Sequence, residues 1–161
     1  MALERLKSVL FLCTANSARS ILAEAYLNHA GRGRFRAYSA GSHPSGKVNP
    51  FALQTLHAHG IEPPDVRSKS WDEFAQPSAP SIDIVITVCD SAAAEVCPVW
   101  PGHPLKTHWG VPDPAAVPGS EAEKRAAFQR AFSTLARRID LLLGLPADKL
   151  DKKTLDEIGG R

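Results

Sequence analysis

Apolar positions follow two patterns along the chain. The first is a continuous run. Ser8 to Cys13 encloses Val9-Leu10-Phe11-Leu12, which suits a strand covered on both faces. Ile82 to Val88 is a run of the same kind and the clearest strand, because β-branched residues dominate it. Phe35 to Ala40 reads as a further strand, stopped by Gly41 and the Pro/Gly-rich stretch to Pro50, and Lys106 to Trp109 as a short fourth. The second pattern repeats at helical spacing. Ser17 to Ala30 carries Ile21, Leu22, Ala25 and Tyr26 on one face and ends at Gly31. Phe51 to His59 reads as a second helix closing at Gly60. Ser120 with Glu123 forms a capping box. The helix it opens aligns Phe128, Phe132, Leu135, Ile139 and Leu142, and ends at Gly144.

Strands alternating with helices imply a single α/β domain: a four-stranded, mostly parallel sheet with helices on both faces and right-handed crossovers. The domain is expected over 1–161, with a core at about 8–144 and a charged tail at 145–161. From Lys149 onward that tail has weak helical character. Ligands of such sheets bind beyond the carboxyl ends of the strands. Cys13 and Cys89 each fall at the carboxyl end of a predicted strand.

Composition changes this picture little. The chain has 161 residues, 43% hydrophobic and 22% charged, enough for a packed core. A net charge of +2 argues for neither nucleic acid nor an anionic membrane. The densest basic spot, Arg32, Arg34 and Arg36, reads as a solvated turn. No apolar run has the roughly 20 residues that a spanning helix needs. Met1 to Lys7 does not read as a signal peptide. The expected compartment is the cytoplasm, and the expected state a monomer. Three cysteines, Cys13, Cys89 and Cys97, are too few and too odd in number for a disulfide framework. They are left as inert buried thiols, metal ligands or catalytic thiols.

The segment Cys13-Thr14-Ala15-Asn16-Ser17-Ala18-Arg19-Ser20 joins the first strand to the first helix. A short loop there aims backbone amides at one point, reinforced by the positive helix terminus, which suits a tetrahedral oxyanion. Arg19 adds a guanidinium fork that matches two oxygens of the anion. The same field is expected to favour the thiolate of Cys13, the nucleophilic form. Ser17 and Ser20 are candidates for holding the loop or the thiolate by hydrogen bonds. The nucleotide-binding loop ending in Gly-Lys-Ser/Thr is absent.

With Tyr38-Ser39-Ala40-Gly41 and Asp113-Pro114, this loop resembles the low-molecular-weight tyrosine phosphatase superfamily. The resemblance implies Cys13 as nucleophile, Arg19 as oxyanion clamp and Asp113 as general acid, on a loop shaped by Pro112 and Pro114. The stretch from Thr87 to Pro98, which holds Cys89 and Cys97, then His108-Trp109-Gly110, resembles the arsenate reductase branch. The likeness runs from Val9 to about Leu143. That branch implies a relay. Cys13 attacks arsenate, Cys89 attacks the sulfur–arsenic adduct and expels arsenite, and Cys97 attacks Cys89 so that an external thiol reductant can open the outer disulfide. Thioredoxin is the usual reductant of the branch, and glutathione with glutaredoxin, or a mycothiol system, stays open. Phosphate and sulfate are competing oxyanions. No tightly bound cofactor is implied.

Ser91 to Glu95 is alanine-rich and should be helical. Eight helical residues would part Cys89 from Cys97 by about 12 Å, at roughly 1.5 Å per residue, whereas a disulfide needs Cα atoms within about 7 Å. A helix there would have to bend or unwind. Several departures from the wider superfamily stand out. Ala18 replaces a second loop cysteine, and Ala115 and Ala116 follow Asp113-Pro114 where phosphatases tend to carry aromatic rings. Both favour a small inorganic substrate. Ala15 replaces a frequent glycine and would be strained if that position needs φ > 0. Asn16, Glu24 and Ser39 match positions that bind a monovalent cation in some relatives, but Trp71 stands where an acidic ligand is expected. Loop stabilisation is the reading for Asn16. Three alternatives remain: a phosphotyrosine phosphatase using Cys13, Arg19 and Asp113, a silent oxyanion-binding module, and a metal site from Cys89, Cys97, His103 and His108. Trp100 and Trp109 read as core or loop anchors, and His57 and His59 as solvated.

Overall fold

The computed structural model describes residues 6–62, 66–90 and 104–161. Its four strands are β1 (Lys7–Cys13), β2 (Phe35–Gly41), β3 (Ile84–Thr87) and β4 (Leu105–His108). They form one sheet in the order β2-β1-β3-β4, and every pairing is parallel. The continuous apolar run of β1 has a direct cause. Val9, Phe11 and Cys13 face the main core, while Leu10 and Leu12 pack with Trp71 and Phe74 on the other side. A strand covered on both faces cannot alternate.

Register decides where the chemistry sits. Cys13 lies beside Gly41, Leu12 beside Thr87, and Thr87 beside His108, so all of these residues come off one edge of the sheet. The amide of Val88 donates to the Leu12 carbonyl at 2.9 Å, which brings Cys89 out next to Cys13.

The helices are α1 (Arg19–Ala30), α2 (Pro50–Ala58), α3 (Glu121–Leu143) and α4 (Lys152–Gly159). Asn49 caps α2 and Pro50 opens it, while the Ser120–Glu123 capping box opens α3 as its sequence requires. The apolar stripe of α3, Phe128, Phe132, Leu135, Ile139 and Leu142, is buried along its length. These four helices of the described residues send side chains into the core on one face of the sheet. Among the described residues the other face is closed by a 3-10 turn, Trp71–Phe74.

The charged C-terminal stretch, expected to have weak helical character, forms a helix that packs on the core. Asp151 caps α4, and Leu155 and Ile158 enter the core. Trp109 Nε1 donates to the Leu155 carbonyl at 2.9 Å, and Thr107 Oγ1 to Asp156 Oδ1 at 2.6 Å, fixing α4 against β4. Two apolar residues three positions apart make one narrow face, too short to show as a period but enough to seal a sheet edge. Among the described residues no helix is long and apolar enough to cross a membrane.

Candidate active site

The loop from Cys13 to Ser20 is held from outside by its carbonyls. Those of Thr14 and Ala15 accept from the amides of His43 (2.9 Å) and Ser45 (3.0 Å), and that of Ser17 from Asn49 (2.8 Å). Asn16 is fully buried: its Nδ2 donates to Ser20 Oγ at 2.7 Å, and its Oδ1 accepts from the Lys69 amide at 2.9 Å. This is the stabilising role its sequence position suggested. The left-handed backbone belongs to Asn16 (φ 47) and not to Ala15, so the strain considered for alanine does not arise. Asparagine tolerates that conformation well. Gly41 ends β2 because a Cβ there would collide with the Thr14 carbonyl, which explains the glycine of the Tyr38–Gly41 motif.

With its carbonyls engaged outward, the loop presents amides to sulfur. The Thr14 amide donates to Cys89 Sγ at 3.3 Å, and the Ala15 amide to the Cys13 sulfur. Both thiols are buried, Cys13 at 3% and Cys89 at 2% exposure, and their side chains share a hydrogen bond. The ionisation of Cys13 differs from expectation. Its thiol is pushed well above the ordinary value, first by the hydrogen bond to Cys89 and next by burial; Arg19 and the Ala15 amide pull the other way and lose. The loop field is present, but a second sulfur in contact outweighs it.

Arg19 stands at the head of α1, whose first turn has no side-chain cap at Ala18. Its Nη1 donates to the Val111 carbonyl at 2.9 Å, and its Nη2 lies 3.7 Å from Asp113 Oδ2. Arg19 Nε is buried without a hydrogen-bond partner among the described residues. A buried donor left unmet is costly, and a bound oxyanion would meet it. Asp113 accepts from the Ala115 amide at 2.9 Å, which caps the 3-10 turn Pro114–Ala116 and leaves the carboxylate partly exposed. A cleft of about 660 Å³ gathers Arg19, Cys89, Asp90, His108 and Asp113. A larger depression of about 800 Å³, between Tyr26, His59, Phe132 and Asp140, holds none of these groups.

Next to the loop lies a buried ionic group whose lysine no motif revealed. Ser39 Oγ donates to Glu24 Oε1 at 2.7 Å, and Lys69 Nζ lies 3.5 Å from Ser39 Oγ. Burial pushes Glu24 up and Lys69 down, and their mutual attraction opposes both shifts. The Lys69 ammonium thus stands beside two of the three residues considered for a cation, while Trp71 packs in the smaller core. Nothing in Ser68-Lys69-Ser70 marks this lysine as buried.

Among the described residues no group of three or more potential metal ligands occurs, and His108 is engaged by Thr87 and Asp90. Cys97, His103, Trp100 and the expected helix at 91–95 lie outside the described residues. Trp109 is a fully buried anchor. His57 is exposed, and His59 is too, although its ring stacks on Phe132 at 4.3 Å.

An all-parallel four-stranded sheet with a Cys-x5-Arg loop leading into its first helix is a fold of the phosphatase class. Residues 8–155 match the family described as low molecular weight phosphotyrosine protein phosphatase, and the chain belongs to that family. It is 38% identical over 133 residues to an arsenate reductase of Bacillus licheniformis, covering 83% of this chain and 92% of that one. Among solved structures it is similar to the arsenate reductase of Archaeoglobus fulgidus (TM-score 0.66, 27% identity), covering 85% of this chain and 99% of that one. It is also similar to a thioredoxin-dependent arsenate reductase of Corynebacterium glutamicum (TM-score 0.57, 25% identity), covering 88% of this chain and 65% of that one.

Proposed function

We propose that the protein reduces arsenate to arsenite with Cys13, Cys89 and Cys97 acting in succession. One observation carries the reading: a second thiol, Cys89, lies against the nucleophile of an oxyanion loop, where a phosphatase needs one. The similarity to named arsenate reductases supports the substrate.

In the reaction, the Cys13 thiol gives its proton to the bound arsenate, Sγ attacks arsenic, and one arsenic–oxygen bond breaks. Asp113 gives the proton with which that oxygen leaves as water. Arg19 and the amides from Thr14 to Ser20 hold the remaining oxygens. Cys89 then attacks Cys13 Sγ, its proton leaving with the departing arsenite. The sulfur–arsenic electron pair stays with arsenic, which falls from pentavalent to trivalent, and the two thiols are oxidised to a Cys13–Cys89 disulfide. Cys97 takes over Cys89, frees Cys13, and passes the disulfide to an external dithiol. Thioredoxin is the donor of choice, supported by the thioredoxin-dependent relative, in a reducing cytoplasm.

Cys89→Ser is expected to abolish reductant-dependent arsenate turnover while sparing slow hydrolysis of an aryl phosphate, and Cys97→Ser to complete one turnover and trap Cys13–Cys89. Arsenate reduction left intact by Cys89→Ser would overturn the relay. The phosphatase alternative uses Cys13, Arg19 and Asp113 alone. It would appear as aryl phosphate turnover with no arsenite from the wild type.

A further inference from the structure

We infer that His108 is a positioning residue for Cys89, acting through the hydrogen-bonded chain Thr87–His108–Asp90 that straddles it. The inference rests on the reductase reading above. His108 Nδ1 lies 2.7 Å from Thr87 Oγ1, and Nε2 lies 2.8 Å from Asp90 Oδ1. A carboxylate only accepts, so Nε2 carries the hydrogen. In the neutral ring Nδ1 then accepts, and the Thr87 hydroxyl donates to it. One imidazole therefore ties the residue two places before Cys89 to the residue just after it.

Backbone bonds from the exit of β4 attach the same stretch. The amides of Trp109 and Val111 donate to the carbonyls of Thr87 (2.7 Å) and Val88 (3.0 Å). Cys89 lies just past that ladder, where the Asp90–His108 pair continues the attachment on one side and Thr14 receives the thiol on the other. The attack of Cys89 on Cys13 needs its sulfur in line, and small misplacements of a reacting atom are costly.

Gly110 leaves room for this pair. A Cβ there would lie 2.7 Å from His108 Nε2 and 2.9 Å from Asp90 Oδ1, so glycine leaves the room in which the two side chains meet. From the far side α4 presses in through Gly159, where a Cβ would collide with the His108 carbonyl and lie 2.8 Å from Trp109 Cδ1.

The experiment compares single-turnover arsenite release with aryl phosphate hydrolysis, which uses Cys13 but not Cys89. His108→Ala and Asp90→Ala are each expected to slow arsenite release roughly tenfold, with aryl phosphate hydrolysis within about twofold of wild type. The double variant should fall no further than either single one, because both break one chain. His108→Gln, which can still reach Asp90, should recover part of the rate. Gly110→Ala should reproduce the loss with Cys89 untouched. Arsenite release unchanged in His108→Ala, equal losses in both assays, or a multiplied loss in the double variant would overturn the inference. A wild type that hydrolyses the aryl phosphate but releases no arsenite would instead overturn the reductase reading, and this inference with it.

Discussion

Cys13 sits under two opposed influences, and the balance between them is measurable. Arg19 and the Ala15 amide favour its charged form, while contact with Cys89 and burial favour the neutral thiol and prevail. Removing the largest raising cause should release the field of the loop. Cys89→Ala is expected to lower the Cys13 pKa and speed its alkylation by iodoacetamide near neutral pH; an unchanged or slower rate would show that burial alone sets it. The residues singled out in the sequence, Cys13, Arg19 and Asp113, lie in local motifs, and the fold brings Arg19 within 3.7 Å of Asp113. Lys69 was not legible because its partners Glu24 and Ser39 come from other elements, and no local pattern marks a buried ammonium. His108 drew notice as a possible metal ligand and as part of the His108-Trp109-Gly110 motif, but not as a partner of Asp90. Its hydrogen bonds to Thr87 and Asp90 are made across two strand ends, which the order of residues does not display.

Elements with strong periodicity were readable, and those lacking it were not. The five-residue stripe and capping box of α3 fixed both its face and its start. Strand ends were placed less closely: Ile82 is buried in the smaller core but lies ahead of β3, and Asp83 joins Ser8 by side chain and backbone instead. α4 showed only as weak helical character from Lys149 onward, because its apolar face has two residues and the β4 edge that completes it is remote in sequence. Two substitutions separate these cases in thermal or denaturant melts. Ser120→Ala removes a cap and should cost about 1 kcal/mol. Leu155→Ala leaves a cavity under a fully buried side chain and should cost about 3 kcal/mol, far more than any detachable tail would.

Across the whole molecule, acid should act through a few carboxylates. Hydrogen bonds from Arg67 hold Glu73 below its ordinary value of 4.5, and those from Thr154 and Thr107 hold Asp151 and Asp156 below 3.8. Each contributes stability that is present above its ordinary value and lost as pH falls through the lowered one. Glu24 runs the other way: burial raises it, so its contribution is greatest below 4.5 and shrinks as pH climbs through the raised value. The melting temperature should therefore drop as pH falls below about 4, and Glu73→Gln should flatten that slope. A melting temperature that rose on acidification would show Glu24 to dominate. A last consequence follows from the near-complete enclosure of Cys13 and Cys89, exposed by 3% and 2%. Thiol exchange requires a straight approach to sulfur, and no protein-sized disulfide has one here. On the proposed relay, this enclosure acts as a sieve: a small ion reaches sulfur where a bulky electron donor does not.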